Sequence, residues 1–132
     1  MKVIDKLAWI ELQNQSILST KSYGKDKFYI PGGKREVGET DEQALLREIE
    51  EELSVKLEAE TLHYIGTFEA QAHGHPEGVM VKMTCYGGKY VGDLKASAEI
   101  EEIQWLKYSD QDKIAEVDKL IFDYLREKGL LD

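Results

Sequence analysis

Directly after a proline, the segment GGKREVGETDEQALLREIEEEL (Gly32–Leu53) opens on two glycines and carries eight carboxylates in 22 residues. Its second half has the pattern of a helix from about Asp41 to Leu53. Thr40 is placed to cap it, and Gln43, three residues on, completes a capping box. Leu45, Leu46, Ile49 and Leu53 fall on one stripe about 100° wide, which requires a covering surface. Glu48, Glu51 and Glu52 stand at i, i+3 and i+4 and share a second face, centred roughly 120° from the stripe. The acids therefore lie beside the buried edge, where a cleft forms, and not on the far solvent side. Any fold for this chain must bury one side of the helix and leave an opening along the other.

The flanking segments supply the cover. Met1 to Leu12 alternates as a strand, Asn14-Gln15 reads as a turn, and Ser16 to Lys21 returns. Phe28 to Ile30 reads as a short strand stopped by Pro31-Gly32-Gly33. Leu62 to Ala72 and Val79 to Tyr90 have strand composition around a polar tip, His73 to Gly78, and Trp105-Leu106 suggests one more short strand. From Asp110 to Lys128 apolar residues recur at helical spacing (Ile114, Val117, Leu120, Ile121, Tyr124, Leu125), and Gly129 is placed to stop that helix. Strands around one acidic helix with a second helix at the end predict a mixed sheet flanked by helices, an α/β/α sandwich, in a single domain over 1–132.

Charge narrows the partners. The formal net charge is −9, from 26 acids against 17 bases, which argues against a nucleic-acid polymer. A small phosphorylated ligand stays compatible, because a bound divalent cation reverses the local sign. Cys85 is the sole cysteine and lies in a strand-like run, so it is expected as an inert core thiol. No secretory leader or membrane span is legible, and the expected location is cytoplasmic.

Three clustered carboxylates repel one another, by a few tenths of a kcal/mol per helix pair and more where water is scarce. A divalent cation converts that repulsion into binding. Carboxylate oxygens without a histidine or cysteine cluster suit Mg²⁺ or Mn²⁺ rather than Zn²⁺. The competing reading of the same residues is a solvated helix face helped by Arg47–Glu51 pairing.

The residues upstream of the helix bear on that choice. Gly33, five residues, Glu39, seven residues, then Arg47-Glu48-Ile49-Glu50-Glu51-Glu52 resembles the signature box of the Nudix hydrolases. It departs at one fixed position, where Ser54 stands for glycine before the expected apolar Val55. The strand into the box (Phe28, Ile30, Pro31, Gly32, Gly33) and the trailing Glu99, Glu102 and Trp105 are similar to the family as well.

The resemblance implies hydrolysis of a nucleoside diphosphate linked to some group X, by water activated on Mg²⁺ or Mn²⁺. Glu48, Glu51 and Glu52 would hold the metal together with the Gly32 carbonyl, and Glu99 matches a downstream metal-binding or base glutamate of some members. Arg47 would aim the carboxylates by pairing with Glu39 or the helix glutamates, and Glu36 would stand in the loop near the metal. Glu48 is the first choice of base; Glu99 or the His73–Glu77 tip is the second.

Lys21, Phe28, Lys34 and Arg35 are the candidates for substrate contact, against their ordinary roles as surface cations and a core aromatic. Trp9 and Tyr29 could also stack on a base. His73 and His75 offer a weaker alternative metal site, set against a mobile hairpin tip. Nucleoside tri- or diphosphates are the expected substrates. ADP-ribose or another nucleotide sugar, a dinucleoside polyphosphate, and a catalytically silent nucleotide-binding module are the alternatives. The quaternary state is expected to be a monomer or homodimer.

Overall fold

The computed structural model describes residues 2–132. The first strand, β1 (Lys2–Trp9), runs at the centre of the larger sheet. A short β2 (Leu12–Gln13) turns back into β3 (Ser16–Ser22) through Asn14 and Gln15, both in the left-handed conformation (φ 52° and 59°) that a tight hairpin turn requires. Next come β4 (Gly32–Gly33) and α1 (Asp41–Leu53), followed by β5 (Lys56–Leu57). The long hairpin is β6 (His63–Gln71) and β7 (Val79–Gly87), followed by β8 (Tyr90–Val91) and β9 (Ile100–Leu106). A 3₁₀ segment (Tyr108–Lys113) precedes α2 (Glu116–Glu127).

The larger sheet has the order β4-β1-β7-β6, with β1 and β7 parallel and the outer pairs antiparallel; β2-β3-β9 form a second sheet, and β5-β8 a small ribbon. Alternation along β1 distributes the core. Leu7 and Trp9 face α1 and pack with Leu18, Leu45, Ile49 and Leu53. Ile4 and Ala8 face the other way and join Val81, Met83 and the α2 residues Val117, Ile121, Phe122 and Leu125. Each helix covers one face of a mixed sheet, as the pattern predicts. Among the described residues no helix is long and apolar enough to cross a membrane.

Three expectations change in extent. Phe28 to Ile30 is a crossing segment, held only by bridges from Tyr29 to Thr20 and from Phe28 to Ile114, because the chain passes here from one sheet to the other. The strand at the bend is Gly32–Gly33, opposite Ala8 and Leu7. The second helix does not run from Asp110: Ile114 is extended (φ −122°, ψ 161°) and buried, which separates the 3₁₀ turns from α2. Trp105-Leu106 is the end of a strand of seven residues, whose acidic outward positions hide its alternation. Of the expected first strand, Met1 lies outside the described residues.

Candidate active site

The bend at Pro31–Gly33 brings backbone and carboxylates to one place. A side chain on Gly32 would put Cβ 1.9 Å from the Leu7 carbonyl oxygen, and one on Gly33 would put it 2.4 Å from the Glu48 carboxyl carbon. Only a chain without Cβ atoms lets the strand edge and the first helix approach this closely. Helix α1 starts with the predicted box, Gln43 N–H to Thr40 Oγ1 at 3.1 Å and Thr40 N–H to Gln43 Oε1 at 3.0 Å, so its phase is fixed from the first turn.

Within that helix the three glutamates separate. Glu52 is buried (5% exposed), Glu48 is mostly covered (side chain 16% exposed), and the Glu51 side chain is 55% exposed. Glu48, Glu52 and Glu99 line one cleft of about 380 Å³, together with Gly32, Gly33 and Lys34; Glu51 stays on its outer side. Burial, then the negative charges of Glu48 and Glu99, push the Glu52 carboxyl well above the usual carboxylate range, against a partial offset from the Gly32 backbone.

Arg47 organises the bend side. It meets Glu39 with both arms, Nε to Oε2 and Nη2 to Oε1 at 2.8 Å each, donates to the Lys34 carbonyl at 3.0 Å, and holds Glu48 Oε1 at 2.9 Å. Glu36 and Glu51 lie farther off, at 3.5 and 3.8 Å. The Arg47 hydrogen bonds pull the Glu39 carboxyl down to about 2. One guanidinium thus fastens the loop to the helix and aims Glu48.

Of the four substrate-contact candidates, only Lys34 lines the cleft. Lys21 is held by Glu101, with Glu102 at 4.0 Å. Arg35 is spent on Asp41 (2.6 Å) and Asp5 (2.9 Å). Phe28 is packed in the core, because the crossing segment turns its ring inward. Trp9 is fully buried with its indole N–H on the Gly88 carbonyl (3.1 Å), whereas Tyr29 does line the cleft. His73 and His75 stand on the rim, with His73 Nε2 2.9 Å from Asp26 Oδ1. Cys85 is buried and its thiol is pushed up to about 12 by burial, which makes it inert.

The sequence reading missed two groups. Lys6 lines the cleft from β1; its signal was a lysine at the position between Ile4 and Ala8 on an apolar strand face. Asp118 is fully buried in α2, where its Oδ2 accepts the Ile30 N–H at 3.0 Å and its Oδ1 has no partner. It interrupts the apolar face of an amphipathic helix, and acids near a helix start are too common to stand out.

Among the described residues no three carboxylate, imidazole or thiolate groups are already closed into a metal cage. The donor set nevertheless fits a hard cation. Glu52 makes no ion pair among the described residues, yet it is buried beside two more carboxylates and the glycine backbone. A buried carboxylate without a counter-charge, close to two further acids, is what an oxygen-preferring divalent ion compensates.

Comparison with known proteins decides the family. The NUDIX domain profile matches residues 7–125. The chain belongs to the Nudix family. An ADP-ribose pyrophosphatase of Methanocaldococcus jannaschii is 30% identical over 123 residues, covering 91% of this chain and 71% of that protein. Among solved structures, the ORF135 protein of E. coli superposes with a TM-score of 0.73 at 25% identity, covering 96% of this chain and 92% of the other. A MutT Nudix hydrolase of Burkholderia pseudomallei reaches 0.75 at 19% identity, covering 93% and 98%. This Nudix protein is a pyrophosphohydrolase, in a family that acts on small nucleotide substrates and generally works with a divalent metal. The α/β/α reading of the sequence stands.

Proposed function

We propose that this Nudix hydrolase, acting as a single catalytic unit, cleaves a phosphoanhydride bond of a nucleoside tri- or diphosphate with Mg²⁺ or Mn²⁺. The observation that carries the reading is the buried Glu52, set beside Glu48, Glu99 and the Gly32 backbone in one cleft. Glu48, Glu52 and Glu99, with the Gly32 carbonyl, would hold the cation, and Glu51 would join from the outer edge. When bound, the ion lowers the pKa of a coordinated water and neutralises phosphate charge.

The chain's own groups do the rest. Arg47 fixes Glu48 through Oε1, which leaves Oε2 as the oxygen that takes the proton of the attacking water. Lys34, next to the glycine bend, binds the phosphates. Tyr29 and the apolar residues of the lining limit the water beside the bound nucleotide.

The cleft volume of about 380 Å³ lies near the lower end for small-molecule sites and suits one nucleotide better than a dinucleotide. A second reading, ADP-ribose, is favoured by the relative of that activity at 30% identity. A panel of nucleoside triphosphates, nucleoside diphosphates, ADP-ribose and dinucleoside polyphosphates, with the products identified, separates the two. Turnover is expected for nucleoside phosphates, is abolished by EDTA and returns with Mg²⁺ or Mn²⁺. Turnover of ADP-ribose alone would replace the substrate, and full activity of the metal-free protein would overturn the mechanism.

A further inference from the structure

The cleft mixes two kinds of lining: the carboxylates, the glycine bend and Lys34, and an apolar set made of Ile4, Ile30, Ala72, Val81, Met83 and Val117. Lys6 joins this apolar set from β1, where its register partner on β7 is the buried Met83. Its Nζ lies 5.9 Å from the centre of the Tyr29 ring, and among the described residues it makes no hydrogen bond or ion pair. A lysine half sunk in an apolar floor normally finds a carboxylate partner or reaches out to water. The nearby acids, Asp118 and Glu52, act on it only through their charges, while burial and Lys34 depress its pKa.

An unpartnered Nζ among apolar side chains and beside the Tyr29 ring suits a flat ring that carries an acceptor on its edge. We infer that Lys6 reads the nucleobase, donating from Nζ to the carbonyl oxygen at C6 of a purine or C4 of a pyrimidine, so that the cleft prefers bases with an oxo group there (hypoxanthine, guanine, uracil) over those with an amino group (adenine, cytosine). An ammonium has three donors and no acceptor. An amino base would point its own N–H groups at Nζ and leave both sides unpaired in a desolvated slot, which is the arrangement that discriminates most strongly.

This inference rests on the nucleotide reading above and deepens it to a base class. The test uses base pairs that exchange a carbonyl for an amino group: inosine triphosphate against ATP, and UTP against CTP. The wild-type ratio of kcat/KM is expected to favour the oxo partner by about tenfold or more. Lys6→Met brings both ratios close to one, and Lys6→Arg, which keeps a donor cation, retains most of the preference.

Calorimetric binding of IMP and AMP to the same three proteins gives the ratio without turnover. Oxo-selective binding that Lys6→Met abolishes supports the inference even where no nucleotide is hydrolysed, a result that would sink only the catalytic reading. Wild-type ratios near one overturn it. So does a Lys6→Met protein that keeps its circular dichroism spectrum and loses oxo and amino substrates equally, because Lys6 would then serve the phosphates.

Discussion

Glu50, Glu51 and Glu52 are three identical residues in a row whose fates are set by rotation alone. Each step along a helix turns the side chain by about 100°, so Glu52 goes under the sheet edge while Glu51 stays at the rim. Burial of Glu52 is unfavourable to folding in the absence of a cation, since the group must hold a proton or face two like charges. Glu52→Gln keeps the shape and removes the charge. The variant is expected to melt at or above the wild-type temperature without metal, and to lose at least tenfold in turnover at saturating Mg²⁺. Initial rates and a thermal melt on one preparation check both halves. Turnover equal to wild type would take Glu52 out of the site.

At the scale of elements, α1 and α2 each carry one feature that local pattern does not favour. Ser54 ends α1 in the left-handed conformation (φ 63°, ψ 23°), with its N–H on the Glu50 carbonyl. A side chain there costs about 1 kcal/mol, part of which glycine returns through a freer unfolded chain. Ser54→Gly is therefore expected to stabilise the protein by about 0.5 kcal/mol in urea unfolding, with kcat and KM unchanged. A loss of stability would show that Ser54 makes a compensating contact.

In α2, burial pushes Asp118 up to about 7, only partly offset by the Ile30 N–H and Lys6. The unfolded chain ionises this carboxyl near pH 4, so between pH 4 and 7 the folded state holds an extra proton. Its contribution to stability is full below that window and is lost as pH rises through it. Asp118→Asn keeps an acceptor for Ile30 and has no proton to lose. The two proteins should match near pH 4, and the variant should exceed wild type by a few kcal/mol at most at pH 8, at about 1.4 kcal/mol for each tenfold change in proton affinity. Equal slopes of stability against pH would show that Asp118 stays ionised in the fold.

For the whole molecule, what was legible in the sequence followed from periodicity, and what was not followed from long-range geometry. The caps of α1, the Asn14-Gln15 turn, the Gly129 stop and the two helix faces are encoded within a few residues of where they act. The fate of Phe28, Lys21 and Arg35 depends on partners many positions away in Ile114, Glu101 and Asp5, which no local pattern names. Lys6 and Asp118 were missed for the same reason.

The acids of the cleft were legible because their like charge has no local explanation, and that excess governs the last prediction. With a net charge of −9, the folded chain gathers Glu48, Glu52 and Glu99 closer than the unfolded chain does, so a divalent cation binds the folded state preferentially. Ligand at about 100 times its dissociation constant adds about 2.7 kcal/mol, which for a domain of this size raises Tm by roughly 8–12 °C. Mg²⁺ or Mn²⁺ should raise Tm along a saturating curve at fixed ionic strength, and NaCl of equal ionic strength should not. The saturable part should vanish in Glu52→Gln while any general screening by salt persists. A shift that the variant keeps in full would place the bound cation on the acidic surface and away from the Gly32–Gly33 bend.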